Sequence, residues 1–419
     1  MLGFFQLLLS ADPRKVIHNM FETRFRLALV GATALSAAVL SACGGGGGSD
    51  ASPSTPVSTL GTLAVSMTDA PACGFDAVNV TVSKLRVHRS EGASDLDAGW
   101  TDISLNPAKK INLLNLTNGV LEALGQTSLE AGRYTQLRLV LDSNGNTVVP
   151  TAGKTEQPLE TPGAIQGGIK LVGNFEVTAG QKTDVVLDFD ACKSVVTRGK
   201  GSYALKPVVK VVPATLNGIS GFVSTALLGR SVQVSAQQNG QIVGATTPNP
   251  TTGEFLLSRL APGNYDVVIT ANDSAASVVA SVPVASASST TVLSTSSAPI
   301  LLAPGTGGSI GGTVTLSPAS TEAAYVSAKQ SFAAGPTVTI KYQGADLATG
   351  AYTIANLPVT APQFATYTST LPLAFSASTA APAGKYRVEA AATGYVTKSV
   401  DNVDIATANQ SNVNFALTR

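Results

Sequence analysis

Hydrophobic positions along this chain fall into two patterns. From Gly61 onward they alternate with small or polar residues over short runs, the period of a half-buried strand. The clearest runs are Gly61–Met67 (GTLAVSM), Ala77–Val82 (AVNVTV), Tyr134–Leu141 (YTQLRLVL), Ile169–Val172, Asp184–Phe189 (DVVLDF) and Tyr203–Val212. Strict alternation in YTQLRLVL places Tyr134, Gln136, Arg138 and Val140 on one face and Thr135, Leu137, Leu139 and Leu141 on the other. Ile111–Leu124 is the best helix candidate, but Asn118-Gly119 interrupts it, so a strand followed by a short helix is the alternative. Earlier, Leu27–Leu40 (LALVGATALSAAVL) is apolar without alternation and without charge. As a helix it would reach ~21 Å, short of the ~30 Å hydrocarbon layer, which suits an export signal better than a permanent span.

Three segments share a turn-then-strand signature: Leu129-Glu-Ala-Gly-Arg-Tyr134, Leu260-Ala-Pro-Gly-Asn-Tyr265 and Ala381-Pro-Ala-Gly-Lys-Tyr386. Each glycine permits a turn conformation closed to larger residues, and each tyrosine opens a strand. In β-sandwiches such a tyrosine ties a loop through its hydroxyl. Two further openings resemble one another, Gly218–Val223 and Ser309–Val314, and the latter begins a region with a long polar insert after Leu357. Residues 284–306 are rich in Ser, Ala and Thr and are expected to hold a last strand at 299–302 and a linker. The fold class expected is mainly β: tandem antiparallel β-sandwich domains after an export signal peptide and a flexible tether. The divisions are 1–42 (signal peptide), 43–60 (tether), 61–213, 217–303 and 307–419.

Composition narrows the setting. Charged residues make up 13% of the chain, about half the usual share, as in exported β-proteins with polar but uncharged surfaces. Without residues 1–42 the chain keeps 23 basic and 24 acidic side chains, so no basic field exists for nucleic acid. Aromatics at 5% argue against a broad sugar-stacking platform, and Trp100 is expected in a core.

Arg24 and Arg26, the Leu27–Leu40 run, Leu40-Ser41-Ala42-Cys43 and Gly44–Gly48 follow one another in the order of a bacterial lipoprotein signal, and Leu40–Cys43 resembles its lipobox. The resemblance implies that Cys43 carries fatty acyl chains such as palmitate and becomes the first residue of the mature protein. The implied location is the cell envelope, with the membrane as partner through the lipid. Gly44 in place of aspartate favours the outer membrane, on its periplasmic or surface face. A start at Met20 would give a signal peptide of ordinary length. The tether would reach ~20–25 Å as a coil. Cys73 and Cys192 then remain, and an oxidising compartment permits one disulfide between them, worth roughly 4–5 kcal/mol on the loop-entropy account; two free buried thiols are the alternative.

Residues 61–213 resemble the DUF4382 domain of exported bacterial and archaeal proteins. Ser66–Pro71 (SMTDAP), Val78–Val82, Trp100, Asn112–Leu114, Leu129–Leu139, Leu187–Asp190 and Lys206–Lys210 carry the resemblance. Residues 217–303, and more loosely 307–419, resemble the carboxypeptidase regulatory-like (transthyretin-like) sandwich, through Gly253-Glu-Phe255 and Leu260–Tyr265. Neither resemblance carries catalytic residues onto this chain.

No residue set demands a reaction. Asp69, Asp188 and Asp190 are weak calcium candidates, because calcium takes six to eight oxygens. The simpler reading has Asp69 capping a turn before Pro71, with Asp188 and Asp190 on one solvent-facing strand face. His88, between Arg86 and Arg89 in sequence, reads as a surface residue rather than a base. No metal site and no cofactor are expected. The role expected is structural or binding and not enzymatic, with a glycan or envelope protein as candidate partner; an undetected hydrolase is the last alternative.

Overall fold

The computed structural model describes residues 59–419 except 71–73, 334, 379–380 and 382. Cys43, the 43–60 tether up to Ser58, and Cys73 therefore lie outside the described residues. The chain is mainly β, in paired sheets that fall into three sequence blocks. Each block is built the same way. Its first strand lies between an antiparallel neighbour and a later parallel one. Leu60–Ala70 pairs with Glu122–Glu130 and Lys182–Asp190. Gly218–Phe222 pairs with Glu254–Ser258 and Thr290–Val292. Gly307–Ser317 pairs with Ala351–Pro358 and Phe415–Thr418. The parallel pairs depart from a purely antiparallel sandwich; each joins the first and last parts of a block through chain that crosses to the other sheet.

Alternation accounts for most of the packing. In the first block Leu63, Val65 and Met67 meet Val78, Val80 and Val82 across the two sheets. The strand Gly132–Leu141 breaks strict alternation. A bulge between Tyr134 and Gln136 shifts the register against Ile169–Val177, so Tyr134 joins Leu137, Leu139 and Leu141 in the core instead of sharing a face with Gln136 and Arg138. Ile111–Leu124 is not a helix. A strand ends at Asn112, one 3-10 turn spans Leu113–Leu116, and a new strand starts at Glu122. Asn112 sets the turn, its side-chain oxygen accepting from Val78 N and Leu114 N at 3.2 Å each.

All three signature tyrosines close a corner between sheets. Tyr134 donates to Glu130 O at 3.0 Å, and Tyr265 donates to Ala261 O at 2.6 Å. Tyr386 donates to Pro358 O at 2.5 Å, across 28 residues, because the polar insert is spliced into that corner. The insert is not a loose loop. Its Gln363–Thr366 strand adds in parallel to Ser277–Val284 of the second block, and Ser376–Ala377 folds back on it. Tyr367, Leu373 and Phe375 pack on the second block's core. The strand expected at 299–302 reduces to one bridge, Ile300 to Val223, while Thr290–Val292 supplies the block's last strand.

The blocks are fastened together. Val268, Ala276 and Val278 of the second belong to the core cluster of the third, which is why both faces of DVVIT are buried. Gln237 and Thr339 exchange two buried hydrogen bonds, at 2.7 and 2.8 Å. Asn118, the residue that interrupts the helical pattern, has φ 57° and pegs the first block to the second: it accepts from Thr246 Oγ1 at 2.8 Å and Leu256 N at 3.1 Å. Asp346 accepts from Gly199 N at 2.7 Å, and Leu347 N donates to Thr197 O at 3.0 Å, joining the first block to the third.

Candidate functional site

A cleft of about 500 Å³ opens where the three blocks meet. The first block contributes Asp188, Asp190 and Lys210, on neighbouring strands in which Lys210 lies opposite Asp188. The second contributes Ser235 and Val243, and the third Lys341 and Asn356. Asp188 and Asp190 thus face a cleft rather than open solvent. They share a strand face because they are two residues apart, and neighbouring blocks cover that face.

The charged groups here differ in how well they are matched. Asp190 caps the helical turn Ala191–Ser194, accepting from Lys193 N at 3.0 Å, and pairs with Lys193 Nζ at 3.2 Å. Lys210 Nζ donates to Val243 O at 3.1 Å. Asp188 has no hydrogen-bond or ion-pair partner among the described residues. Burial pushes its carboxyl up to about 6, against the opposing pull of Lys210. Among the described residues, Lys341 Nζ reaches only Asn272 Oδ1 and Ala355 O, both at 3.4 Å. Burial draws its ammonium down to about 8, with Asp273 opposing.

Asp69 lies on the strand paired with that of Asp188, one register position away. It is buried, and its Oδ1 accepts from Ala191 N at 3.0 Å, so it fastens the Ala191–Ser194 turn, while the turn at Pro71 lies outside the described residues. Among the described residues no three His, Cys, Asp or Glu side chains are grouped to hold a metal ion. Cys192 sits in that helical turn and lines the cleft beside Gly74.

Residues 60–207 match the family model described as a domain of unknown function, DUF4382. The match covers nearly all of the first block. No curated protein matches the chain. Among solved structures, the chain is similar to the Bacillus anthracis TIE protein at 10% identity, over 86% of this chain and 50% of that one, with a TM-score of 0.16. It is similar to the Corynebacterium diphtheriae major pilin SpaA at 10% identity, over 86% and 100%, with a TM-score of 0.19. A third likeness is to BcpA, the major pilin subunit of Bacillus cereus, at 12% identity over 86% and 99%, TM-score 0.16. The chain spans half the length of the first of these, and superpositions this loose carry no argument about function.

Within the first block, His88 and Trp100 lie away from the cleft. Trp100 is not core. Its half-buried ring lies between the guanidinium groups of Arg86 and Arg138, at 4.9 and 5.0 Å, with His88 at 5.0 Å. Its Nε1 donates to Ser94 O at 2.8 Å, while Arg86 holds Asp95 O at 2.9 Å and Arg138 holds Ala93 O at 2.9 Å. These side chains hold a surface loop, and His88 Nε2 lies 3.0 Å from Ala98 O. His88 is therefore a loop clasp and not a free base. The stretch Gly307-Gly308-Ser309-Ile310-Gly311 spells G-x-S-x-G. It runs inside the strand Gly307–Ser317, with no strand-to-helix elbow to expose Ser309. Sequence patterns gave no sign of Lys341 or Lys210, which are ordinary alternating strand residues until the blocks pack. No helix among the described residues is long and apolar enough to cross a membrane.

Proposed function

We propose that this protein is a cell-envelope lipoprotein with a structural or binding role and no catalytic one. Acyl chains on Cys43 anchor it, the Gly/Ser/Pro-rich segment to residue 60 connects it, and the three β blocks act outside the cytoplasm. The observation that carries this reading is the order of features from Arg24 to Gly48, followed at Leu60 by a body built wholly of sandwich-type blocks. Several acyl chains hold firmly where one is marginal, at ~0.8 kcal/mol per buried methylene. The absence of an Asp after Cys43 favours the outer membrane. The second and third blocks are read as transthyretin-like modules, supported by their two-sheet build. A Cys73–Cys192 disulfide is part of the proposal. It is supported by the register of Leu60–Ala70, which sets Ala70, three residues before Cys73, opposite Asp190, two before Cys192.

Mass spectrometry of the N-terminal peptide from the membrane fraction tests the anchor. A diacylated or triacylated Cys43 is expected, and Cys43→Ser should release the chain or leave it unprocessed. Unchanged processing and membrane retention of Cys43→Ser would remove the basis of this reading.

A further inference from the structure

We propose that the cleft between the three blocks binds an uncharged polyhydroxylated molecule, a saccharide of one to three residues. The inference concerns a site on the β blocks and stands whether or not Cys43 is acylated.

Two unmatched groups point to a ligand. Asp188 is a desolvated acceptor with no partner among the described residues, and Lys341 is a desolvated donor with two long contacts. Groups taken out of water in this way recover hydrogen bonds from whatever fills the space between them. Sugar hydroxyls do both jobs, donating to a carboxylate and accepting from an ammonium.

Charge balance selects against ions. With Asp190 tied to Lys193, the cleft keeps Asp76 and Asp188 against Lys210 and Lys341, so its field favours neither sign. Ser235, Gln343 and Asn356 add hydroxyl and amide groups that donate and accept. Phe75 and Val243 give apolar surface for the C–H face of a pyranose. A cleft of about 500 Å³ is within the usual ligand-site range of ~300–1,000 Å³, and junctions between domains are where such sites concentrate.

The test uses the full chain in a polyoxyethylene-ether detergent, because maltoside and glucoside detergents present the proposed ligand chemistry. Saturation-transfer NMR is run with glucose, galactose, N-acetylglucosamine and maltotriose, each at about 10 mM, a concentration that detects millimolar affinity. Glucuronate, glucosamine and glycylglycine serve as anionic, cationic and zwitterionic comparators. At least one neutral sugar should bind, with about tenfold preference over its charged counterpart. Asp188→Asn and Lys341→Met should each weaken it by about tenfold or more while retaining the parent's folded spectrum. Maltotriose binding better than glucose would identify a chain end as the natural source, and equal binding a free sugar. The proposal is overturned if no neutral sugar binds, if a charged comparator binds as well or better, or if both variants and a cleft-filling Ala355→Trp bind as the parent does.

Discussion

The second and third blocks turn the same corner with different lengths of chain. In the second, Glu254–Ser258 leads through a short turn into Gly263–Thr270, and Tyr265 ties back four residues to Ala261 O. In the third, Ala351–Pro358 and Lys385–Ala392 occupy the matching positions, yet an arm intervenes and Tyr386 reaches Pro358 O directly. The hydroxyl is placed by where the two sheets meet, not by sequence distance. Once it is fixed, the chain between is free to do other work, and here it completes the edge of a neighbouring sheet. An uncovered Ser277–Val284 edge, rich in valine, would be open to pairing with other chains.

The largest effect is expected from removing the arm. Replacing residues 363–377 by a short Gly/Ser turn should leave the third block's corner closed but lower the melting temperature by more than about 10 °C. Hydrogen exchange should accelerate along Ser277–Val284. An unchanged melting curve would mean that the arm merely rests on that edge.

Tyr386→Phe separates the corners next. It leaves Pro358 O without its buried donor, at a cost of ~1–3 kcal/mol in urea unfolding. Tyr265→Phe and Tyr134→Phe, whose hydroxyl bonds are only part-buried, should cost less, ~0.5–1.5 kcal/mol. Equal losses at all three would contradict the idea that burial of the anchor, not its sequence spacing, sets its worth.

Two carboxylates at block contacts should respond to pH in opposite senses. Burial raises Asp346, but amide donors from Gly199, Thr349 and Ala348 and the Thr197 hydroxyl outweigh it and hold the carboxyl down to about 2. Its folded value lies below the unfolded ~3.9, so its stabilisation is present above pH ~4 and is lost as pH falls toward 2. Asp188, raised to about 6, lies above its unfolded value. Its contribution is complete below pH ~4 and is lost as pH rises through 6. Asp346→Asn should therefore destabilise at pH 7 by about 1 kcal/mol, discounted for partial exposure, and by little at pH 2. Asp188→Asn should stabilise at pH 8 by a similar or smaller amount and do nothing at pH 4. Thermal melts across that range would expose a shared sign, which this arrangement forbids.

Much of the β architecture was legible because alternation and turn residues are local. The Gly-x-Tyr signature even located the three corners. What escaped the sequence is non-local. One extra residue at the Tyr134–Gln136 bulge reverses which face the tyrosine joins, and alternation has no means of marking it. The Ser/Thr/Pro-rich insert gave no strand pattern because its Gln363–Thr366 strand is short and borrows its partner from another block. Trp100, expected in a core, is held at the surface by arginines 14 residues before it and 38 after it. At the candidate site, Asp188 and Asp190 were visible as residues. The cleft was not, since its third wall arrives from Lys341 and Asn356, far along the chain.

The tyrosine anchor has a consequence for how this protein could change over time. Pro358 and Lys385 form a docking port whose two rims are clamped together from beneath, so sequence seated there can lengthen, shorten or be exchanged wholesale while the scaffold below keeps its shape. Novel appendages would arise at this port more readily than anywhere in the strands, and a protein engineer wishing to display a foreign peptide would begin there.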